Sequence, residues 1–279
     1  MSQSGTTRPA PGQKSVPELT DVQSSEDRRN VAIDRVGVKD VTYPIRLRTP
    51  DGGYQHTVAK VSMYVSLPHH QKGTHMSRFL EVLNEHAREI DPTDIMPICH
   101  DIKERLNAAG AHLKLAFTYF INKLAPVTAS PGLMDYQVTF EASSDGADDF
   151  VMGVTVPATS LCPCSKAISD YGAHNQRCHI EARVRFEGML WIEDLVGMVE
   201  NAASAPVFSV LKRPDEKHVT ERAYDNPKFV EDVVRDLSLL LDADSRVKWY
   251  SVNSENFESI HNHNAFASVE RDKRPTPNA

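Results

Sequence analysis

The order in which two periodicities follow one another limits the fold of this chain more than any other feature. Residues 38–48 and 54–67 alternate apolar and polar side chains, the period of a half-buried strand. They flank Pro50-Asp51-Gly52-Gly53, a hairpin turn by composition. In the second run Val61, Met63, Val65 and Leu67 face one way. The period then changes. Met76, Phe79, Leu80, Leu83, Ala87 and Ile90 fall at helical spacing and predict one amphipathic helix. Ile95, Ile98, Cys99, Ile102 and Leu106 predict a second, with Asp94 as N-cap and Gly110 just past its end. Cys99 is therefore expected in the core. Residues 112–123 and 133–141 return to strand.

The same order then recurs without evident sequence similarity. Residues 150–156 and 178–186 read as strands. Residues 191–203 read as a helix, with Ile192, Leu195, Val196 and Val199 inward and Glu193 and Asp194 in a first turn that favours acids. A further helix is expected from Asn226-Pro227, with Phe229, Val230, Val233, Val234, Leu237 and Leu241 as its stripe. Residues 246–252 and 265–269 end the unit as strands. Strand-strand-helix-helix-strand-strand, twice, predicts an α+β fold: an antiparallel sheet with helices packed on one face. The expected boundaries are a disordered arm over 1–30, a first module over 31–145, a second over 146–270 and a tail over 271–279. Residues 205–225 are expected as a long charged loop holding Lys212, Arg213, Glu216, Lys217, His218 and Arg222.

Composition excludes several classes of function. The chain has 279 residues, 40% hydrophobic and 25% charged, as an ordinary globular protein does. Its net charge of −7 argues against non-specific nucleic-acid binding, while leaving room for an anionic small substrate in a local basic pocket. No apolar run approaches a membrane span, and the first residues lack a signal-peptide core. Four cysteines in so long a chain do not make a disulfide framework. A cytoplasmic protein is expected, with neither nucleic acid nor membrane as partner.

The chemistry concentrates in Ser160-Leu161-Cys162-Pro163-Cys164-Ser165-Lys166 and continues through Gly172-Ala173-His174-Asn175-Gln176-Arg177-Cys178. The segment is polar and turn-rich between two strands, so it is expected as a loop at the end of a sheet, where binding groups sit. A thiolate and an imidazole on one loop serve either as metal ligands or as a nucleophile with its base. Cys-Pro-Cys has neither the spacing of a zinc knuckle nor that of a thioredoxin site. If the segment is extended, Cys162 and Cys164 leave on the same side. Burial of both as small hydrophobes is a third reading, and the spacing does not choose among the three.

Three other stretches accompany it: Gln71-Lys72-Gly73-Thr74-His75-Met76-Ser77-Arg78, Lys212-Arg213-Pro214-Asp215-Glu216, and Ser254-Glu255-Asn256-Phe257-Glu258-Ser259-Ile260-His261-Asn262-His263. Together the four motifs, in this order and without departure at these positions, resemble the signature of the type IB GTP cyclohydrolases over residues 36–269. The resemblance implies two tandem tunnelling-fold modules in one continuous sheet, and a homotetramer with active sites at its subunit interfaces. It implies GTP as substrate, hydrolysed to formate and 7,8-dihydroneopterin triphosphate in the first step of tetrahydrofolate biosynthesis. It makes Cys162, His174 and Glu216 the ligands of a divalent metal, with Mn(II) favoured and Zn(II) as the second candidate. By ligand softness alone the set would favour zinc. Three protein ligands leave an open position for water, as catalytic sites do.

The resemblance also assigns the remaining site residues. Glu231 becomes the guanine anchor, its two acceptor oxygens matching the N1 and 2-amino donors. Glu258, His261 and His263 join Cys162 in the catalytic set as acid–base groups, and a helical turn starting at Glu258 would put it on one face with His261. Lys72, His75, Ser77 and Arg78 open the first helix, where an N-terminus and basic side chains bind phosphate; in an oligomer they would reach a neighbouring subunit's site and hold the triphosphate, the alternative being a charged helix start. From the residues alone, Glu231 reads as an exposed helix carboxylate and the two histidines as surface loop. Two rivals stand beside this reading. One is a tunnelling-fold nitrile reductase with Cys162 as nucleophile. The other is a non-enzymatic, metal-stabilised purine-binding protein with a closed four-ligand site.

Overall fold

The computed structural model describes residues 21–274 apart from Ser24, Ala87 and Arg88. Ala87, which belongs to the first predicted stripe, and most of the predicted arm and tail (1–20 and 275–279) therefore lie outside the described residues. Strands β1 (Ile33–Arg48) and β2 (Tyr54–Leu67) pair across a turn in which Gly52 has φ 79° and the Gly53 amide donates to Asp51 Oδ1 at 3.1 Å. Helices α1 (Met76–His86) and α2 (Ile95–Arg105) follow, then β3 (Gly110–Leu124), β4 (Pro131–Asp145) and β5 (Ala147–Leu161). A short α3 (Pro163–Ile168) leads to β6 (Asn175–Phe186), α4 (Ile192–Ala202) and the two-residue β7 (Ala205–Pro206). The chain ends with α5 (Arg213–Asp225), α6 (Val230–Ala243), β8 (Val247–Asn256) and β9 (Ala265–Asp272).

Every pairing between neighbouring strands is antiparallel, in the order β1-β2-β3-β4-β5-β6-β8-β9, with β7 attached to β5. β4 and β5 turn at Gly146, φ 79°, so both halves of the chain share one sheet. Burial alternates along β3, β4, β6 and β8, which puts the core on one face and leaves the other to solvent. On the core face Met63, Leu115, Phe140, Met152, Ile180 and Val252 pack against the predicted helix stripes, from Phe79 and Ile102 to Leu195 and Leu237. Cys99 is buried there, as expected.

Several local expectations are corrected. Residues 205–225 are not a loop: they hold β7 and the thirteen-residue α5. That helix is mostly charged and buries only Asp215 and Ala223, so it shows no apolar stripe to read. Asn226 does not begin the next helix but closes α5, its side-chain Nδ2 donating to the Ala203 and Ser204 carbonyls at 3.1 Å each. α6 starts instead after Phe229, whose amide donates to Asp232 Oδ2 at 3.0 Å. Asp94 does take the N-cap position of α2, as expected, but its side chain accepts the Asp91 amide at 2.8 Å rather than an amide of its own helix. Met76 is 41% exposed, and Ile90 lies past α1, exchanging backbone hydrogen bonds with Arg46 and Arg48. Part of the predicted arm is ordered. Gln23, Ser25 and Asp27 exchange backbone hydrogen bonds with Gly73, Lys72 and His70 at 2.9–3.1 Å, forming a strap over the entry to α1.

Polar contacts tie the two halves together across the covered face. The Tyr119 hydroxyl bonds Glu193, and the Tyr136 hydroxyl donates to Glu200 Oε1 at 2.8 Å. Lys123 Nζ reaches the same Glu200 oxygen at 2.6 Å and the Val207 carbonyl at 2.9 Å.

Candidate active site

β5 ends at Leu161, and Cys162 is the last extended residue, with φ −72° and ψ 117°, before Pro163 opens α3. Proline suits a first helical position, where its φ is already set and its missing amide is not needed. Cys162 takes the cap position, its Sγ accepting the Ser165 amide at 3.4 Å. Because 163–168 is helical, Cys162 and Cys164 do not leave one side of an extended segment. Cys164 is exposed and Cys162 half-buried. Cys178 is different again. Burial in β6 pushes its thiol up to about 12, as burial pushes Cys99 up to about 11, so both are inert core thiols.

His174 is locked to Cys162 by backbone and by one hydroxyl. The Cys162 amide donates to the His174 carbonyl at 3.1 Å. Ser165 Oγ accepts the His174 amide at 3.2 Å and donates to the Cys162 carbonyl at 3.1 Å. The imidazole Nδ1 lies 3.0 Å from Gln176 Oε1 and 3.2 Å from Ser259 Oγ, and Gln176 Nε2 donates to Glu258 Oε1 at 3.4 Å. With Nδ1–H given to the Gln176 carbonyl, Nε2 keeps its lone pair for a ligand. Ser165 and Gln176 stand in the motif, but the sequence reading gives them no role. The available signals were positional: Ser165 follows a cap residue by three, and Gln176 follows His174 by two at the mouth of a strand.

The end of β5 fixes two further segments. Lys228 donates its amide to the Leu161 carbonyl at 3.1 Å, and Ser160 Oγ donates to the Lys228 carbonyl at 3.2 Å. This holds the turn before α6, whose first turn carries the exposed Glu231. Asn256 Nδ2 donates to Ser160 Oγ at 3.0 Å, which holds the end of β8 and the start of the loop 257–264. That loop contains no helical turn. Glu258 is half-buried and joined to His174 through Gln176, whereas His261 and His263 are exposed, their rings stacked 5.2 Å apart at 19°.

Glu216 lies in the first turn of α5, exposed, its amide donating to the Lys212 carbonyl at 2.9 Å and its side chain without a hydrogen bond or ion pair among the described residues. It shares a helix face with Val219 and Ala223, three and seven residues on. Those two pack with Leu161 and Ala173, the immediate neighbours of Cys162 and His174. Among the described residues, however, no three His, Cys, Asp or Glu side chains form a group that could hold a metal ion. Cys162 and His174 are brought together; Glu216 is not gathered with them. The donors themselves suit a divalent cation: a thiol, an imidazole with a free nitrogen and an unengaged carboxylate.

Lys72, His75, Ser77 and Arg78 lie at the entry to α1, which packs on β1 and α2. β1 and β5 are four strand spacings apart in the sheet, roughly 20 Å, so one chain does not bring this group to Cys162. His75 Nε2 is 3.2 Å from Asp21 Oδ2, Arg78 donates to the Arg105 carbonyl at 3.3 Å, and Lys72 and Ser77 are exposed.

The chain is similar to proteins named for one activity. It is 54% identical over 256 residues to the GTP cyclohydrolase FolE2 of Nitrosococcus oceani, covering 91% of this chain and 96% of that protein. It is 55% identical over 258 residues to the GTP cyclohydrolase FolE2 of Azoarcus sp., covering 92% and 96%. Among solved structures, uricase from Arthrobacter globiformis superposes with a TM-score of 0.51 at 9% identity, covering 92% of this chain and 97% of that one, a likeness of fold alone. A family profile described as GCHY-1, Type I GTP cyclohydrolase folE2, matches residues 19–267. With its sequence matched over that length, the chain belongs to the type I GTP cyclohydrolase FolE2 family.

Proposed function

We propose that this chain is a GTP cyclohydrolase I of the type IB class. It takes up water, opens the imidazole ring of GTP at C8, releases that carbon as formate and closes the ribose carbons into 7,8-dihydroneopterin triphosphate, the first step of tetrahydrofolate biosynthesis. The observation that carries the reading, in a chain of this family, is the hydrogen-bonded junction at the end of β5. It unites Cys162 and His174 with Glu258 and the start of α6.

Cys162, His174 and Glu216 would hold a divalent ion, Mn(II) ahead of Zn(II), which would supply the Lewis acidity needed to make water nucleophilic near neutral pH. The chain's own residues do the rest. Gln176 orients the His174 ring by engaging Nδ1 and leaves Nε2 free for a ligand. Glu231 accepts from guanine N1–H and the 2-amino group at once, which positions the purine. Glu258, tied to His174 through Gln176, holds and returns a proton during ring opening. The stacked His261 and His263 exchange protons with solvent as the pterin ring closes. Lys72, His75, Ser77 and Arg78 bind the triphosphate of the neighbouring subunit's site, within a homotetramer of chains that each carry two tandem tunnelling-fold modules. Their distance from Cys162 in one chain supports a site completed between subunits. Four free thiols and a net charge of −7 suit a cytoplasmic enzyme without nucleic-acid partners.

The test is formate release from GTP by the full-length protein with Mn(II) present. Stoichiometric formate and a pterin product are expected. NADPH consumption with a nitrile substrate and no formate would assign a nitrile reductase, and GTP binding without turnover would assign a binding protein.

A further inference from the structure

The candidate ligands sit in the second half of the chain, yet the first half grips one of them by its neighbour. Asp215, fully buried in the first turn of α5, immediately precedes Glu216. Its Oδ1 accepts the Val127 and Thr128 amides at 2.8 Å each, and its Oδ2 accepts the Thr128 hydroxyl at 2.7 Å and the Lys212 amide at 2.9 Å. Only the last of these is a capping contact that the helix supplies for itself. The other three come from the connection between β3 and β4, which is closed by the Ala125 amide on the Ser130 carbonyl at 2.9 Å. Burial pushes the Asp215 carboxyl up, but the Thr128 hydroxyl and the amides of Thr128, Lys212 and Val127 outweigh it and hold it well below the usual carboxylate range. A second contact reinforces the grip. A Cβ added at Gly132, just past the connection, would lie 2.5 Å from Ser209 Oγ, so β4 backbone presses against the approach to α5.

We propose that Asp215 is a positioning residue that fixes the height and rotation of the first turn of α5 against the β3–β4 connection, and so sets the backbone position from which Glu216 would reach toward Cys162 and His174 as a third donor. The inference rests on the reading of Glu216 as a metal ligand given under Proposed function. Among the described residues the Glu216 side chain has no hydrogen bond or ion pair to place it, so where its carboxylate can go follows from the α5 backbone. At its other end α5 is held by Ala223 and Val219 against Leu161 and Ala173, and by Lys166 on the Tyr224 carbonyl. Glu216 lies roughly 10 Å along the axis from Ala223. A tilt of about 10° about that end would move it by roughly 2 Å, ten times the tolerance of about 0.2 Å for a metal ligand. The carboxylate of Asp215 prevents the tilt. In Asp215→Asn the amide nitrogen must face donors, of which the Thr128 hydroxyl can turn to accept and the backbone amides cannot.

The experiment is a titration of Mn(II) into the full-length protein, following loss of the free-ion electron paramagnetic resonance signal. It compares wild type, Asp215→Asn, Thr128→Val and Glu216→Gln, with thermal unfolding measured in parallel. Asp215→Asn is expected to weaken Mn(II) binding on the order of tenfold or more, Thr128→Val by less, and excess Mn(II) should restore turnover in both. A purely structural Asp215 would lower the unfolding temperature and leave the Mn(II) affinity alone. If Asp215→Asn does not fold, Thr128→Val, which removes one bond of four, decides by itself. Wild-type affinity in both variants, with Glu216→Gln weakened, overturns the positioning role and keeps the ligand reading. Wild-type affinity in Glu216→Gln overturns both.

Discussion

Cys162 and Cys164 are two residues apart and face different surroundings, because a helix begins between them. Cys162 caps α3 beside His174, while Cys164 is exposed on the helix itself. Cys162→Ala is therefore expected to abolish formate release and weaken Mn(II) binding, and Cys164→Ala to bind Mn(II) nearly as wild type. Metal analysis of the two purified variants checks this, and the opposite pattern would exchange the thiols. Glu231→Gln should raise the KM for GTP and lower kcat/KM tenfold or more while leaving Mn(II) titration unchanged. The amide would set a donor against a guanine donor, a mismatch of about 1–3 kcal/mol. Loss of metal, or wild-type turnover, would remove Glu231 from that role. Cys162 and His174 were legible as a pair because their residue types are rare and their motif is specific. Ser165 and Gln176 were not, since both act only through a turn and a strand entry whose geometry no residue type announces.

Among the elements, legibility followed the apolar stripe. Each helix with a continuous stripe was foreseen: α1, α2, α4 and α6, with errors of a few residues at their ends. Nothing in composition marks α5 or α3. The first is held by one buried aspartate, two small apolar contacts and the Lys166 bond to the Tyr224 carbonyl, and the second is a single capped turn. The strands were legible from alternation, though shorter than found: β5 runs from Ala147 to Leu161, where the alternation covers only its middle. α6 gives the stripe its sharpest test. Leu237 is fully buried among the core residues of the second half, so Leu237→Ala should cost about 2–5 kcal/mol. Denaturant titration measures it. A loss below about 1 kcal/mol would mean that the helix does not close the sheet as described.

At the scale of the whole molecule, the sheet was foreseen as antiparallel and covered on one face, and its unbroken run through both halves came only from family resemblance. The ties across the covered face were not foreseen at all. Tyr119, Tyr136 and Lys123 look like ordinary strand residues, and their partners Glu193 and Glu200 like ordinary helix acids, until the fold sets them opposite each other. These ties mean that the repeated order of elements is not a license to divide the protein. A gene cut at Gly146 would give a second fragment carrying Cys162, His174, Glu216 and Glu231, every candidate metal and guanine group. It would lack the hydroxyls and amides that hold α4 and α5, and should release no formate from GTP by itself. Supplying the first fragment in trans should restore the reaction, as a missing wall restores an arch whose stones are all present. A second fragment that turns over alone would show that the ties bind the halves without serving the site.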